Sequence, residues 1–363
     1  MKIIIFAGGT GRRLWPISRK HSPKQFEPLL GERSTLQMAV DRVRGSYGAE
    51  NIYISTNERY QETVREQLPE LPPENIIGEP VRRDLAPAVG LSLAHLAAGG
   101  AAEAEPVTIL WGDNYMTDTE TFLELLQTAE TLLAQDDAGI IFIGETPRFA
   151  NENLGWIGLG EQKRTANGRP AYAFETWRYR PPREEAEEMF ESGQYVWNTG
   201  YFVTTVGFVR DLYREHRPEM AAQIEEIEAA IGQEAYEEVL HRVYPQMDVI
   251  SFDDAILTHV APEQAMVLHG EMGWSDPGTL YALKEALASG PEENVTDGLV
   301  LARDTQDSLL VNEESDKLLA VIGLDGMIVV NTKDAILVVH KDRIPEVKQL
   351  VNDLQDSELE QFS

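Results

Sequence analysis

The residues best equipped for chemistry stand near the start of the chain. The apolar run Ile3 to Phe6 breaks off into Gly8, Gly9, Thr10 and Gly11, followed by Arg12 and Arg13. Glycines reach positive φ and carry no Cβ, so successive backbone N–H groups can converge on an anion, and Arg12, Arg13 and Lys24 add charge. The ligand that suits such a loop is a polyphosphate. Two familiar glycine loops fail on residue identity. A Walker loop requires Gly-Lys-Ser/Thr where Gly11 is followed by Arg12 and Arg13, and a dinucleotide fingerprint requires a third small residue where Leu14 stands. A second chemical group follows the apolar stretch Val107 to Trp111: Asp113 ends it with a carboxylate, the hard oxygen ligand that magnesium takes.

The elements that must position these groups alternate. Spacing and breakers predict strands over 3–6, 51–56, 75–78, 107–111 and 139–143, with helices over 35–43, 58–67, 86–98 and 119–134. Such alternation implies a parallel sheet with helices on both faces, and ligands gather beyond the carboxyl ends of its strands, where the glycine loop and Asp113 both fall. A charged amphipathic helix is expected over 183–192, a strand over 195–203 and helical scaffold over 206–243. From Gly290 onward short apolar runs punctuated by Gly, Asp and Asn predict a small β-domain stacked in coils, closed by a helix over 344–354.

Composition narrows the function classes. The 31 Lys+Arg against 61 Asp+Glu give a formal charge of −30, which argues against nonspecific binding of nucleic acid or of an anionic membrane. If the substrates are anionic, the few cations must make a local positive pocket against a repulsive background. Cysteine is absent, which removes disulfides, thiolate catalysis and cysteine-ligated metals. The chain starts on a core strand with no room for a signal peptide and has no membrane-length apolar run, so a cytoplasmic protein is expected.

The longer string GGTGRRLWP, followed by SRKHSPKQF, resembles the signature of the sugar-1-phosphate nucleotidyltransferases, most closely their mannose-1-phosphate guanylyltransferase branch. Trp15-Pro16, Ser18-Arg19, Pro23-Lys24-Gln25-Phe26 and Leu36-Gln37 carry the likeness. The resemblance implies an α/β fold, a Rossmann-like mostly parallel sheet flanked by helices (GT-A-like), with a small C-terminal β-helix-like domain. It implies that Gly8, Gly9, Thr10, Gly11 and Arg12 bind nucleotide. The segment EPVRRDLAPAVG, Glu79 to Gly90, is similar to the family's Glu-Pro, Arg, Asn-Thr-Ala-Pro-Ala nucleotide pocket, which implicates Arg83, Ala86 and Pro87. Asp84 and Leu85 depart from it, and Leu85 cannot replace a hydroxyl donor. Asp113 matches a metal-binding aspartate, although Gly112 and Asn114 look more like thymidylyl and other hexose-phosphate branches.

Further segments extend the likeness. NLGWIGLG, Asn153 to Gly160, resembles a short strand whose glycine, here Gly155, lets the sugar approach the backbone. Where the family reads Phe-Val-Glu-Lys-Pro, this chain reads Trp177-Arg178-Tyr179-Arg180-Pro181, so Tyr179 replaces a glutamate used on sugar hydroxyls and Arg180 replaces a lysine used on the sugar phosphate. YVWNTGYFV resembles the strand in which Asn198 would bond a sugar hydroxyl and Gly200 admit the ring. SFDDAILTHV matches a helix start with Ser251 as cap and Asp253 near the sugar, and GWSDPGT matches the segment whose aspartate, here Asp276, is the second metal ligand.

The resemblance implies attack by a sugar-1-phosphate oxygen on the α-phosphorus of a nucleoside triphosphate, GTP for the closest branch, with Mg2+ as cofactor and pyrophosphate as leaving group. Arg13 would hold the β- and γ-phosphates, Lys24 the α-phosphate and Arg180 the sugar phosphate. A catalytic domain over 1–289 and a β-helical domain over 290–363 are expected, the latter serving packing or a homodimer. Two rivals stay open: the same fold acting on another sugar phosphate or nucleotide, and a noncatalytic sugar-nucleotide sensor.

Overall fold

The computed structural model describes residues 1–8, 14–18, 23–28, 32–135, 138–288, 290–355 and 357–362. Two compact units form. The first comprises Met1–Gly8, Val40–Trp111 and Thr117–Gly273, and the second Gly9–Ala39, Gly112–Met116 and Trp274–Ser363.

The first unit is built on strands β1 (Lys2–Phe6), β2 (Ile52–Asn57), β3 (Ile76–Glu79), β4 (Pro106–Trp111), β5 (Ile140–Glu145), β6 (Gly155–Ala166), β7 (Arg169–Tyr179), β8 (Tyr195–Thr205) and β9 (Ala265–Gly270). They form one sheet in the order β3-β2-β1-β4-β8-β5-β9-β7-β6. The run β3-β2-β1-β4 is parallel, as is the pair β5 and β9, and β8 runs antiparallel between β4 and β5. Continuous burial of Ile3, Ile4 and Ile5 fits a strand covered on both faces. The helices of this part of the chain are α1 (Thr35–Tyr47), α2 (Gln61–Gln67), α3 (Leu85–Ala98), α4 (Thr119–Ala134), α5 (Arg183–Ser192), α6 (Val206–His216), α7 (Pro218–Ala230), α8 (Tyr236–Val243) and the single turn α9 (Phe252–Ala255). α1 starts at a reciprocal cap: Ser34 Oγ accepts from Gln37 N–H at 3.2 Å while Gln37 Oε1 accepts from Ser34 N–H at 3.0 Å. α3 is apolar nearly all round and buried, and a Cβ on Gly90 would lie 2.2 Å from the end of the Ile224 side chain of α7, so a larger residue there would require Ile224 to move.

The second unit holds α10 (Leu280–Leu287), the strands β10 (Val295–Gly298), β11 (Val300–Arg303), β12 (Leu309–Asn312), β13 (Leu319–Ile322), β14 (Met327–Asn331) and β15 (Ile336–His340), and α11 (Val347–Leu354). β10, β12 and β14 pair in parallel, as do β11 and β13, laying Leu309 against Ile328 and Val300 against Leu319 in successive coils. Asn331 donates to the Asn312 carboxamide oxygen at 2.7 Å, a side-chain ladder at the coil corner. One buried core joins Leu14, Trp15, Ile17 and Tyr115 to Leu280, Leu283 and the inward residues of β12, β14 and α11. The coiled tail therefore shares its interior with Leu14, Trp15 and Ile17.

Candidate functional site

The acidic pair is assembled by backbone pairing in the second unit. Tyr115 N–H donates to Ser275 C=O at 2.9 Å and Ser275 N–H donates back at 3.0 Å, an isolated antiparallel bridge between segments remote in the chain. Asp113 and Asp276 flank that bridge. Trp274 Nε1–H donates to the buried Asn114 carboxamide oxygen at 3.3 Å, which gives Asn114 a structural duty. Two details upstream, in the first unit, explain the glycine of GWSDPGT: Gly273 has φ +63, and a Cβ there would lie 1.9 Å from Thr117 Oγ1. The buried Glu145 carboxylate accepts from Met272 and Gly273 N–H at 2.9 and 3.1 Å, fixing the segment's start.

Lys24, nearly fully buried on a short turn after Pro23, aims its ammonium at the pair. Its Nζ lies 3.2 Å from Asp113 Oδ2 and 3.7 Å from Asp276 Oδ1, and it donates to Pro277 C=O at 3.2 Å. Three segments thus bring two hard carboxylates onto one cationic centre, and both carboxylates are partly exposed to solvent. That donor set fits a divalent ion of the magnesium type, which takes one or two carboxylates and completes its shell with water and phosphate oxygens. Among the described residues no cluster of three or more His, Asp or Glu could hold a metal unaided.

The first unit contains an open cavity lined by Leu85, Trp111, Phe142, Trp177, Phe202, Phe252, Leu257, Asn198, Gly200 and Asp253. Aromatic walls with a few convergent polar groups suit a ring-shaped ligand carrying hydroxyls. Asn198 Oδ1 accepts from Gly200 N–H at 2.9 Å, and Gly200 has φ +74. A Cβ on Gly200 would stand 2.4 Å from Trp111 Nε1, so glycine here both permits the bend and leaves the indole in the wall. Gly155 packs against Asn198 and Tyr179. Burial pushes the Asp253 carboxyl above its ordinary range, and the neighbouring charges of Asp254 and Asp84 add to the rise.

The remaining expected residues are placed differently. Ala86 and Pro87 are enclosed in α3. The Ala86 carbonyl accepts from the Tyr213 hydroxyl at 2.5 Å, and the Arg83 guanidinium donates to the Pro245 carbonyl. Leu85, the departure from the expected pattern, is the member of that segment that reaches the cavity wall. Tyr179 is 76% exposed, and Arg180, at φ +48, stacks its guanidinium 5.2 Å from the Tyr179 ring. Gly8 is described and exposed, whereas Gly9, Thr10, Gly11, Arg12 and Arg13 lie outside the described residues.

The nucleotidyl transferase family profile matches residues 2–292. The chain belongs to the nucleotidyl transferase family. A second profile, the mannose-phosphate isomerase/GMP-like β-helix domain, matches residues 298–354. Curated relatives include the mannose-1-phosphate guanylyltransferase RfbM of Salmonella typhimurium, 30% identical over 99% of this chain and 73% of the relative. Another is the mannose-1-phosphate guanylyltransferase of Salmonella montevideo, 32% identical over 97% of this chain and 73% of the relative. A crystal structure described as mannose-1-phosphate geranyltransferase from Thermus thermophilus is 29% identical, with a TM-score of 0.85 over 98% of this chain and 99% of that one. A structure described as mannose-6-phosphate isomerase from Helicobacter pylori, 19% identical with a TM-score of 0.57 over 76% of this chain and 99% of that one, shares the fold.

Within this nucleotidyl transferase, sequence reasoning missed the aromatic wall of the cavity. Trp111, Phe142, Phe202 and Phe252 read as ordinary core residues, and the only signal was that Trp111 immediately precedes the Gly112-Asp113 pair. Glu145 was also missed, because a buried glutamate at a strand end declares its role only through the N–H groups it meets. Among the described residues no helix is long and apolar enough to cross a membrane.

Proposed function

We infer that this chain is a mannose-1-phosphate guanylyltransferase, joining GTP and mannose 1-phosphate into GDP-mannose with release of pyrophosphate. The observation that carries this reading is the convergence of Lys24, Asp113 and Asp276 from three segments onto one point, in a family whose curated relatives are named mannose-1-phosphate guanylyltransferases. The sugar-phosphate oxygen attacks the α-phosphorus, the bond to the β-phosphate breaks, and pyrophosphate leaves with the electron pair. The nucleophile is already ionised, so no general base is required; positioning and charge neutralisation supply the rate. Magnesium on Asp113 and Asp276, when bound, supplies neutralisation of the reacting phosphates. Lys24 adds a point charge at the α-phosphate. Gly8 to Gly11, with Arg12 and Arg13, are assigned to the triphosphate, Arg83, Ala86 and Pro87 to the nucleotide segment, and Arg180 to the sugar phosphate. Gly155, Tyr179, Asn198, Gly200 and Asp253 are assigned to the sugar.

We assign 1–289 to catalysis and 290–363 to a coiled domain that serves packing or dimerisation, and we place the protein in the cytoplasm. Leu85 in the cavity wall favours one rival, a related sugar phosphate or nucleotide, because it offers no hydroxyl where the family pattern has one. The test is pyrophosphate release with magnesium and GTP against a panel of sugar 1-phosphates. Release with mannose 1-phosphate, abolished in Asp276→Ala with an unchanged circular dichroism spectrum, supports the reading. Release only with another pair would move the specificity, and no release with any pair would leave a sensor.

A further inference from the structure

α10 begins just after Asp276. Gly278 N–H donates to Asp276 C=O at 2.8 Å, and Thr279 Oγ1 caps the helix by accepting from Ala282 N–H at 3.2 Å. Wherever α10 sits, the Asp276 turn follows. The first two turns of α10 are held by a largely buried ionic cluster that the reaction does not use. Lys284 is 1% exposed, and its ammonium lies 2.5 Å from Asp307 Oδ1 and donates to Pro291 C=O at 2.6 Å. Tyr281, one turn earlier on the same face, donates its hydroxyl to Asp307 at 3.0 Å, and Lys341 closes on Asp307 Oδ2 at 2.6 Å. Asp307 itself stands in the turn between β11 and β12, at φ +49 and 7% exposed. One carboxylate of the coiled tail thus gathers two groups of α10 and the lysine that follows β15.

We propose that Asp307 is a positioning residue for the metal-binding aspartate: the coiled tail, through Asp307 and Lys284, locks α10 and so fixes Asp276 opposite Asp113. The cost of burying the Lys284 ammonium and the Asp307 carboxylate is high, and well-packed apolar residues of the same volume often serve stability equally, while Lys341 reaches the carboxylate from the half-exposed side. What the ionic cluster adds is geometry, since its hydrogen bonds are directional and reach from the tail to a single helix face. The tail then acts on the reaction without touching substrate.

This inference rests on the metal role of Asp113 and Asp276, and its test separates the two. Binding of Mn2+ to the full chain is followed by electron paramagnetic resonance without substrates, alongside thermal melts. Asp276→Asn should abolish the site; unchanged Mn2+ binding there would sink the metal reading itself. Asp307→Asn leaves Lys284 buried without its counter-charge and risks unfolding, so the decisive variant is the double substitution Lys284→Met with Asp307→Asn, which removes both charges at near-constant volume. It should fold, weaken Mn2+ binding about tenfold and raise the magnesium concentration for half-maximal pyrophosphate release by a similar factor, with activity restored at high magnesium. If Asp276→Asn loses the metal while the folded double variant keeps wild-type Mn2+ affinity, the positioning role is wrong.

Discussion

Replacing Lys24 by methionine should turn the acidic pair into a better cation site while ending its usefulness in turnover. The ammonium is 3.2 Å from Asp113 Oδ2 and 3.7 Å from Asp276 Oδ1. At such separations a pair of unit charges interacts by about 5 kcal/mol at an effective dielectric of 20 and about 1 kcal/mol in bulk water. The carboxylate side chains are 38% and 46% exposed, so the watery limit applies to both and the ammonium's hold sums to about 2 kcal/mol. Methionine keeps the length of the side chain and removes the charge. The two carboxylates then lose the ammonium, and about 2 kcal/mol becomes available to an incoming divalent ion, a factor of roughly 30 in affinity. The lost hydrogen bond to Pro277 C=O costs about 1 kcal/mol of stability, which leaves the fold in place. On the proposed role of Lys24 at the α-phosphate, loss of its charge should lower the rate of pyrophosphate release by about a hundredfold or more. Titration of the substrate-free variant with Mn2+, read by electron paramagnetic resonance, measures the first effect and a coupled pyrophosphate assay the second. Unchanged or weaker Mn2+ binding in a variant of native circular dichroism would show that Lys24 and a metal do not share these carboxylates.

Other expectations follow from single environments. Burial pushes the Glu79 carboxyl up to about 7, against the opposing hydrogen bond from Tyr244 and the charge of Arg82, with Asp84 adding to the rise. The folded state therefore holds this proton more tightly than the unfolded chain, so stability falls as pH rises from about 4.5 to about 7, by roughly 3 kcal/mol. Glu79→Gln should flatten that slope in urea titrations between pH 5 and pH 8 and stabilise the protein most at pH 8; parallel pH profiles for the two proteins would contradict the assignment. Gly200→Ala should cost about 2–4 kcal/mol, from a positive φ forced on a Cβ and its collision with the Trp111 indole. Urea unfolding measures the cost and tryptophan emission reports the displaced wall; a cost below about 0.5 kcal/mol would mean the bend relaxes freely.

Much of the architecture was legible because its signals are local. Helix caps and apolar spacing placed α4 and α5 at their observed ends, since Asp118 and the Pro182 boundary act within a few residues. The scaffold over 206–243 breaks into α6, α7 and α8 where Arg217-Pro218 and Gly232 interrupt it, a division the side chains announce. β9 was not expected: AMVLHG is too short to distinguish from a loop until β5 and β7 pair with it. The reversed direction of β8 was equally hidden, because the direction of a strand is set by what flanks it across the sheet.

For the site, sequence by itself determined the types of residue: a glycine loop with cations, aspartates after a buried strand and before a helix, an asparagine two residues before a glycine. These follow from side-chain chemistry and short-range order, which adjacent residues encode. Only the tertiary structure decided which of them meet. The bridge between Tyr115 and Ser275 joins Asp113 to Asp276, and the burial of Lys24 points it at both. The same is true of the aromatic cavity wall and of Asp307 clamping α10, since each depends on residues distant in the chain whose proximity is paid for by a shared core rather than by any local preference.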